Sequence, residues 1–272
     1  MGAGPRRLID CGLVDRLRER GYDVEVSYAE PETSFLAEIG TAFELQRQVA
    51  LLVTQALKRG DFPLILSGNC NIAAIGALAA IGDRQPSVVW FDGHADFCTP
   101  DTAELPFLDG MGLAMAIGRC WMPLTRAVPG FQPVPEAQAI LVGAHEIEQQ
   151  EWIDLQGSAI THVTVETIQQ DTAEVALVHA LSSLKASTQA TYLHIDLDVH
   201  EPSLAPANHL APEGGLTPGE VREAVRAVAR TLPVRVASLT AYDPACDVDG
   251  AMLEVALNLA TTLVDSIATV DA

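Results

Sequence analysis

A chain of 272 residues, 49% of them hydrophobic, is long enough to bury a large core without disulfides or a structural metal. Its 36 acidic and 16 basic residues leave a formal net charge of −20, which argues against nucleic acid or an anionic membrane as partner, since both call for clustered Lys and Arg. The five cysteines, Cys11, Cys70, Cys98, Cys120 and Cys246, are scattered with no Cys-x-x-Cys pair, so neither a zinc ribbon nor a dithiol redox motif is indicated.

Arg6 to Arg20 reads as a helix, with Leu8, Leu13 and Leu17 at helical spacing and Gly21 as its stop. Val24 to Tyr28 reads as a short strand, and Thr33 to Arg59 as a long helix ended by Gly60. Pro63 to Leu66 is predicted as a buried strand, followed by Ser67-Gly68-Asn69-Cys70-Asn71 and an Ala-rich helix over Ile72 to Ile81. Strand Val88 to Phe91 leads into a long loop from Asp92 to Pro106 and a helix from Phe107 to Arg119. Ala139 to Val142 and Ala159 to Val165 read as strands around a short helix, and Thr172 to Ala186 as a helix. Strand Tyr192 to Ile195 precedes a second long loop, His200 to Leu216. Thr217-Pro218-Gly219-Glu220 has the form of a capping box with Pro at the first helical position. Strand Val234 to Thr240 and a helix from Met252 to Ile267 close the chain.

This alternation predicts one α/β domain over residues 1–272, with a parallel sheet covered by helices on both faces. The opening residues, with Arg6-Arg7 and charges throughout, do not read as a signal peptide, and no apolar run is read as long enough to span a membrane. A reducing cytoplasm is the expected location. Ligands of such sheets bind at the carboxyl ends of the strands, where the two long loops lie.

Both loops open on acidic motifs. In Asp92-Gly93-His94-Ala95-Asp96, strand alternation offers Asp92, His94 and Asp96 to one side; Asp196-Leu197-Asp198 offers Asp196 and Asp198. A lone Asp-x-Asp is commonly a helix cap or a solvated loop, but two such segments reinforce each other. Carboxylates buried without partners are very costly, so a divalent cation is the natural counter-charge. Carboxylate plus imidazole with little thiolate favours Mn, Fe, Co or Zn.

Together with Pro202, Ala205-Pro206, Gly214-Gly215-Leu216-Thr217 and Ala241-Tyr242-Asp243-Pro244, these segments resemble those of the arginase–agmatinase (ureohydrolase) superfamily, over nearly the whole chain from Gly4-Pro5. The resemblance implies a three-layer α/β/α sandwich around a largely parallel, about eight-stranded sheet. It implies two divalent metal ions, manganese first with zinc or iron as alternatives, bridged by a water or hydroxide that attacks a small-molecule substrate and breaks a linear C–N bond. Carried over by position, Asp92 and Asp196 would bridge both ions. His94 and Asp198 would complete one ion, and Asp96 and Cys70 the other. Relatives assemble as trimers or hexamers, so a homo-oligomer is expected.

The chain departs from the family's pattern at its substrate edge. A ligand histidine is replaced by Cys70, a change similar to that in an N-hydroxyarginine-hydrolysing branch, and a thiolate tilts the site toward Zn or Fe. The family's proton-carrying histidine falls on Asp109, its guanidinium-holding Glu on Ala241, and its carboxylate-gripping Asn and Ser on Cys98 and Leu105. Asp109 is the expected proton carrier, with His200 and His209 as further relay candidates. Glu148, Cys98 and Asp243 are the substrate-binding candidates. His145, His162 and His179 are expected to be solvated, Trp90, Trp121 and Trp152 to pack, and His194 either to adjoin the site or to be an ordinary core histidine. N-hydroxyguanidine hydrolysis, amide deacylation and a metal-binding homologue without catalysis stand as alternatives to guanidine hydrolysis. Because the family's first strand has no counterpart before Gly4, the native protein is expected to be longer.

Overall fold

The computed structural model describes residues 1–32, 35–104 and 107–271. Six strands form a parallel sheet: β1 (Leu64–Leu66), β2 (Pro86–Phe91), β3 (Ala139–Val142), β4 (Thr161–Val163), β5 (Ala190–Asp196) and β6 (Val234–Thr240). Their order is β1-β6-β5-β2-β3-β4, six among the described residues where the resemblance implied about eight. Every residue of β2 and β5 is buried, which is why both read as unbroken apolar runs: helices cover both of their faces. β1 is half-buried rather than buried, because it lies at the sheet's edge and pairs only with β6 among the described residues.

On one face lie α3 (Glu38–Arg59), α4 (Cys70–Ile81), α5 (Gly112–Ala116) and α7 (Gln149–Gln156), packed over Val88, Trp90, Tyr192 and Val236. The other face carries α1 (Gly4–Asp10), α2 (Leu13–Glu19), α8 (Val165–Gln170), α9 (Ala173–Lys185), α10 (Pro218–Thr231) and α11 (Ala251–Asp271), packed over Val89, Phe91, Leu193 and Ile195. A single turn, α6 (Met122–Thr125), follows α5. The capping box at Thr217 and Glu220 is formed as expected.

Several elements differ from the sequence reading. The first helix is split into α1 and α2 where Gly12 turns left-handed (φ 96°). Val24 to Tyr28 pairs with no strand among the described residues; Val24 packs partly against the core, while Val26 and Tyr28 are exposed. Helix α3 starts at Glu38, and Thr33 and Ser34 lie outside the described residues. The helix expected over Phe107 to Arg119 shrinks to a 3-10 turn, Asp109–Met111, and the short α5, because this segment wraps around the site instead of running straight. The strand expected over Ala159 to Val165 is only β4, and Val165 opens α8 behind Thr164, whose side chain caps it. Against the expectation of no membrane-length run, Ala251–Thr269 of α11 is long and apolar enough to cross a bilayer. In the structure its buried residues, Met252, Leu257 and Leu263 among them, belong to the core, while Glu254 and Asp265 pair with Arg16 and Arg20.

Helices α3 and α4 approach closely because α4 carries Gly76: a Cβ there would lie 2.4 Å from Val49 Cγ1. Overpacking at such a contact costs about 1–3 kcal/mol. Urea unfolding should show Gly76→Ala destabilised by about that amount, and the Gly76→Ala/Val49→Ala pair more stable than Gly76→Ala alone. An unchanged Gly76→Ala midpoint would contradict this packing.

Candidate metal centre

Strand parity assembles the site. β2 and β5 run in register with Trp90 opposite His194 and Phe91 opposite Ile195. Asp92 and Asp196 follow Trp90 and His194 by two residues, so they emerge on the same face, the one covered by α4. Helix α4 begins with Cys70 two residues earlier than the apolar pattern suggested, which brings its thiol to the same edge. Cys70, Asp92, Asp196 and Asp198 are each at most 3% exposed, and Asp96 is 7% exposed.

The ligand atoms fall into two groups sharing Asp92. Cys70, Asp92, His194 and Asp196 each offer an atom within 4.8 Å of the others, as do Asp92, His94 and Asp198. Cys70 Sγ donates to Asp196 Oδ2 at 2.8 Å, and the Asp198 amide donates to Asp196 Oδ1 at 2.8 Å. Asp92 accepts from the Trp90 indole at 2.9 Å and the His94 amide at 2.7 Å. His94 Nδ1 stands 3.4 Å from both Asp92 Oδ1 and Asp198 Oδ2. Asp198 is steadied by the Gly93 amide (3.2 Å) and Asn208 Nδ2 (3.2 Å). Gly93 permits this approach, since a Cβ on it would sit 2.8 Å from the Asp198 carbonyl oxygen.

Asp96, left-handed at φ 49°, belongs to neither group, and its Oδ2 is buried with no hydrogen-bond partner among the described residues. Burial, then the charge of Asp198, raises the Asp92 carboxyl to about 7. Burial and neighbouring carboxylates push Asp96 and Asp196 well above the usual range, and burial with Asp196 pushes the Cys70 thiol up. Asp198 goes the other way: burial opposes it, but the contact with His94 holds its carboxyl below the ordinary value. Carboxylates buried this densely, with one orphaned oxygen, fit divalent cations, which would replace the protons these groups otherwise hold.

Asp109 is buried against the start of α4. It accepts from Asn69 Nδ2 (3.0 Å), the Asn71 amide (3.2 Å) and Asn71 Nδ2 (3.0 Å), so its carboxylate touches both neighbours of Cys70. Burial raises it to about 6 despite those bonds. Cys98 Sγ lies 3.8 Å from Glu148 Oε2, so two substrate-binding candidates meet. Glu148 is exposed and also forms a capping box on α7 with Glu151. Asp243 lies apart from the buried carboxylates, with His209 and Cys246; the Ala245 amide holds its carboxyl below the usual range. Leu105 lies outside the described residues.

His200 is fully buried, but it lines a small cavity with Arg222 of α10 and Leu259 of α11 on the opposite side of the sheet. Its Nδ1 meets the Leu197 carbonyl at 2.8 Å, and burial lowers its pKa to about 4. His145 and His162 are half-buried rather than solvated, held by the carbonyls of Gly143 (2.8 Å) and Ala144 (3.0 Å). Trp152 is 43% exposed instead of packed.

Sequence reasoning missed three supports. Glu151 is buried and accepts the Phe97 amide at 2.7 Å, tying the first motif's loop to α7; its spacing from Glu148 was the available signal. Asn208 joins Asp198 to the Ala241 carbonyl (2.9 Å), and nothing local in the sequence announces it. The third is the Trp90 indole on Asp92.

A model described as the arginase family matches residues 7–266. The chain is 28% identical to the arginase of Bacillus caldovelox over 96% of its own length and 91% of that protein's. The solved structure of that arginase superposes with a TM-score of 0.84 over 96% of this chain and 91% of its own, at 26% identity. An N(omega)-hydroxy-L-arginine amidinohydrolase of Streptomyces lavendulae is 27% identical, over 84% of this chain and 79% of its own.

Metal must displace protons from this centre, so its affinity falls with acid. The sign follows from the raised groups: Asp92, at about 7 without metal, is largely protonated below that pH and must be ionised to ligate. Calorimetric titration at pH 6 in buffers of differing ionisation enthalpy should show protons released on metal binding, and affinity should rise from pH 6 to 8. Binding without proton release would contradict the assignment.

Proposed function

The chain belongs to the arginase family, and we propose that it is a metal-dependent hydrolase cleaving a linear C–N bond in a small guanidino, amidino or related substrate. The observation that carries this reading is the convergence of buried Asp92, Asp196, Asp198 and Cys70 with half-buried His94 at the carboxyl edge of a parallel sheet. Two divalent ions bound there, manganese or with zinc or iron in its place, would supply Lewis acidity and make water acidic enough to attack near neutral pH.

The chain's own residues set the rest. Asp92 and Asp196 would hold the cations from adjacent strands, with Asp198 kept in place beside them by Asn208 and the Gly93 amide. Asp109 suits the proton-carrying role: its carboxylate is buried beside Cys70, and at about 6 it is poised near neutral pH. Cys98 and Glu148, whose side chains meet, would form part of the substrate wall.

Position 241 narrows the substrate. Ala241 is buried, and its methyl side chain offers a guanidinium no carboxylate. A missing charge-assisted, bidentate partner forfeits about 2–3 kcal/mol, on the order of 30- to 150-fold. This disfavours arginine and favours a less basic group such as an N-hydroxyguanidine, a reading supported by Cys70 and by the Streptomyces relative. We further propose that residues 1–272 act as one domain in the cytoplasm, as a homotrimer or hexamer.

The direct test is a screen of guanidino, N-hydroxyguanidino, amidino and acyl-amine compounds with Mn-, Zn- and Fe-loaded protein, reading urea, hydroxyurea or amine release. The expected outcome is C–N hydrolysis with arginine at least about 30-fold poorer in kcat/KM than the best substrate. No turnover of any compound by metal-loaded protein would favour the non-catalytic alternative. Asp109→Asn should lower kcat by about 10²–10⁴ while leaving metal stoichiometry unchanged, and unchanged kcat would remove Asp109 from the reaction.

A further inference from the structure

His194 sits fully buried in the middle of β5, where an imidazole has little structural use unless both nitrogens are engaged. Its ring stacks on Trp90 with centroids 3.7 Å apart and planes at 19°. Nδ1 lies 2.8 Å from Tyr192 Oη and 3.1 Å from Ser238 Oγ. These contacts fix the ring plane and direct Nε2 toward the carboxyl edge, where it meets Thr240 Oγ1 at 3.3 Å. The same hydroxyl lies 3.2 Å from Cys70 Sγ, and the Cys70 thiol bonds Asp196. His194 thus reaches the group of atoms formed by Cys70, Asp92 and Asp196.

We propose that His194 is a metal ligand, completing with Cys70, Asp92 and Asp196 a sulfur–nitrogen–oxygen–oxygen site that selects zinc, beside a harder site of Asp92, His94 and Asp198. The proposal rests on the two-ion reading above and deepens it by giving the two halves different metals. Four donors of this kind match the four-coordinate geometry of zinc. Thiolate and imidazole favour the softer ion, whereas carboxylates accommodate manganese. A ligating histidine ordinarily gives its other ring N–H to an oxygen that fixes tautomer and orientation, and the Tyr192 and Ser238 hydroxyls occupy that place. The arrangement also accounts for Cys70: a sulfur and a ring from the sheet interior stand together where the family pattern has one histidine.

Stripped full-length protein loaded with one equivalent of zinc and examined by X-ray absorption at the zinc edge tests this. The expected shell is one sulfur at about 2.3 Å with imidazole nitrogen at about 2.0–2.1 Å. The imidazole signal should persist in His94→Ala, which leaves His194 as the imidazole of the two groups. Sulfur without imidazole in that variant overturns the proposal, as does a first zinc bound without sulfur. Should His94→Ala not fold, Tyr192→Phe with Ser238→Ala serves instead: removing the partners of Nδ1 should weaken zinc binding about 10- to 100-fold and leave manganese binding unchanged, and equal zinc affinity overturns the proposal. If wild-type protein binds neither zinc nor manganese, the two-ion reading itself fails; uptake of both with no imidazole beside the sulfur defeats this inference alone.

Discussion

Like charges buried side by side are the constraint around which this protein is built. Asp92, Asp96, Asp196 and Asp198 are almost wholly removed from water within one small region, an arrangement that costs free energy unless protons or cations neutralise it. The fold supplies what makes the arrangement unavoidable. Adjacent parallel strands in register project alternate residues to the same face, so two Asp residues at the ends of β2 and β5 must meet. Helix α4 then brings Cys70 to them, and Asp109 caps the start of that helix from a distant loop, coupling the helix end to the site.

The two sides of the site differ in character. The candidate metal side is rigid: Asp92 and Asp198 are each fixed by hydrogen bonds from elements packed into the core, and the Trp90–His194 stack lies beneath them. The residues proposed to face substrate lie on a short turn at Asp109–Met111, at the start of α7 and beside Ala241, where side chains change without disturbing the sheet. Family resemblance therefore carries further for the candidate metal centre than for the substrate. Under the proposed function, Ala241 and Cys98 are the positions at which specificity would depart from that of an arginine-cleaving site.

Much of this was legible before folding, because the signals were local. Unbroken apolar runs marked β2 and β5 as central strands, and the acidic motifs at their ends brought Asp92 and Asp196 together, whereas the left-handed turn at Asp96 keeps it out of both groups of ligand atoms. What escaped depends on contacts between distant segments. The helix expected over Phe107 to Arg119 yields to the need to bring Asp109 to Asn71, and Cys70 enters α4 although its neighbours carry no helical pattern. Asn208 and Glu151 act only through partners far along the chain. His200 illustrates the reverse error: proximity to Asp198 in sequence put it near the site, while the chain beyond β5 turns it toward α10 and α11. His194 read equally well as a core or a site residue, since strand parity places it under the carboxylates but says nothing of which ring nitrogen faces them.

The central claim is that the buried carboxylates exist to hold two cations. Crystals of metal-reconstituted protein, measured for anomalous scattering at the manganese and zinc edges, address it most directly. The account predicts two peaks about 3.5–4 Å apart, both in contact with Asp92, one beside Cys70 and the other beside His94. A single peak, or peaks away from the ends of β2 and β5, would contradict it.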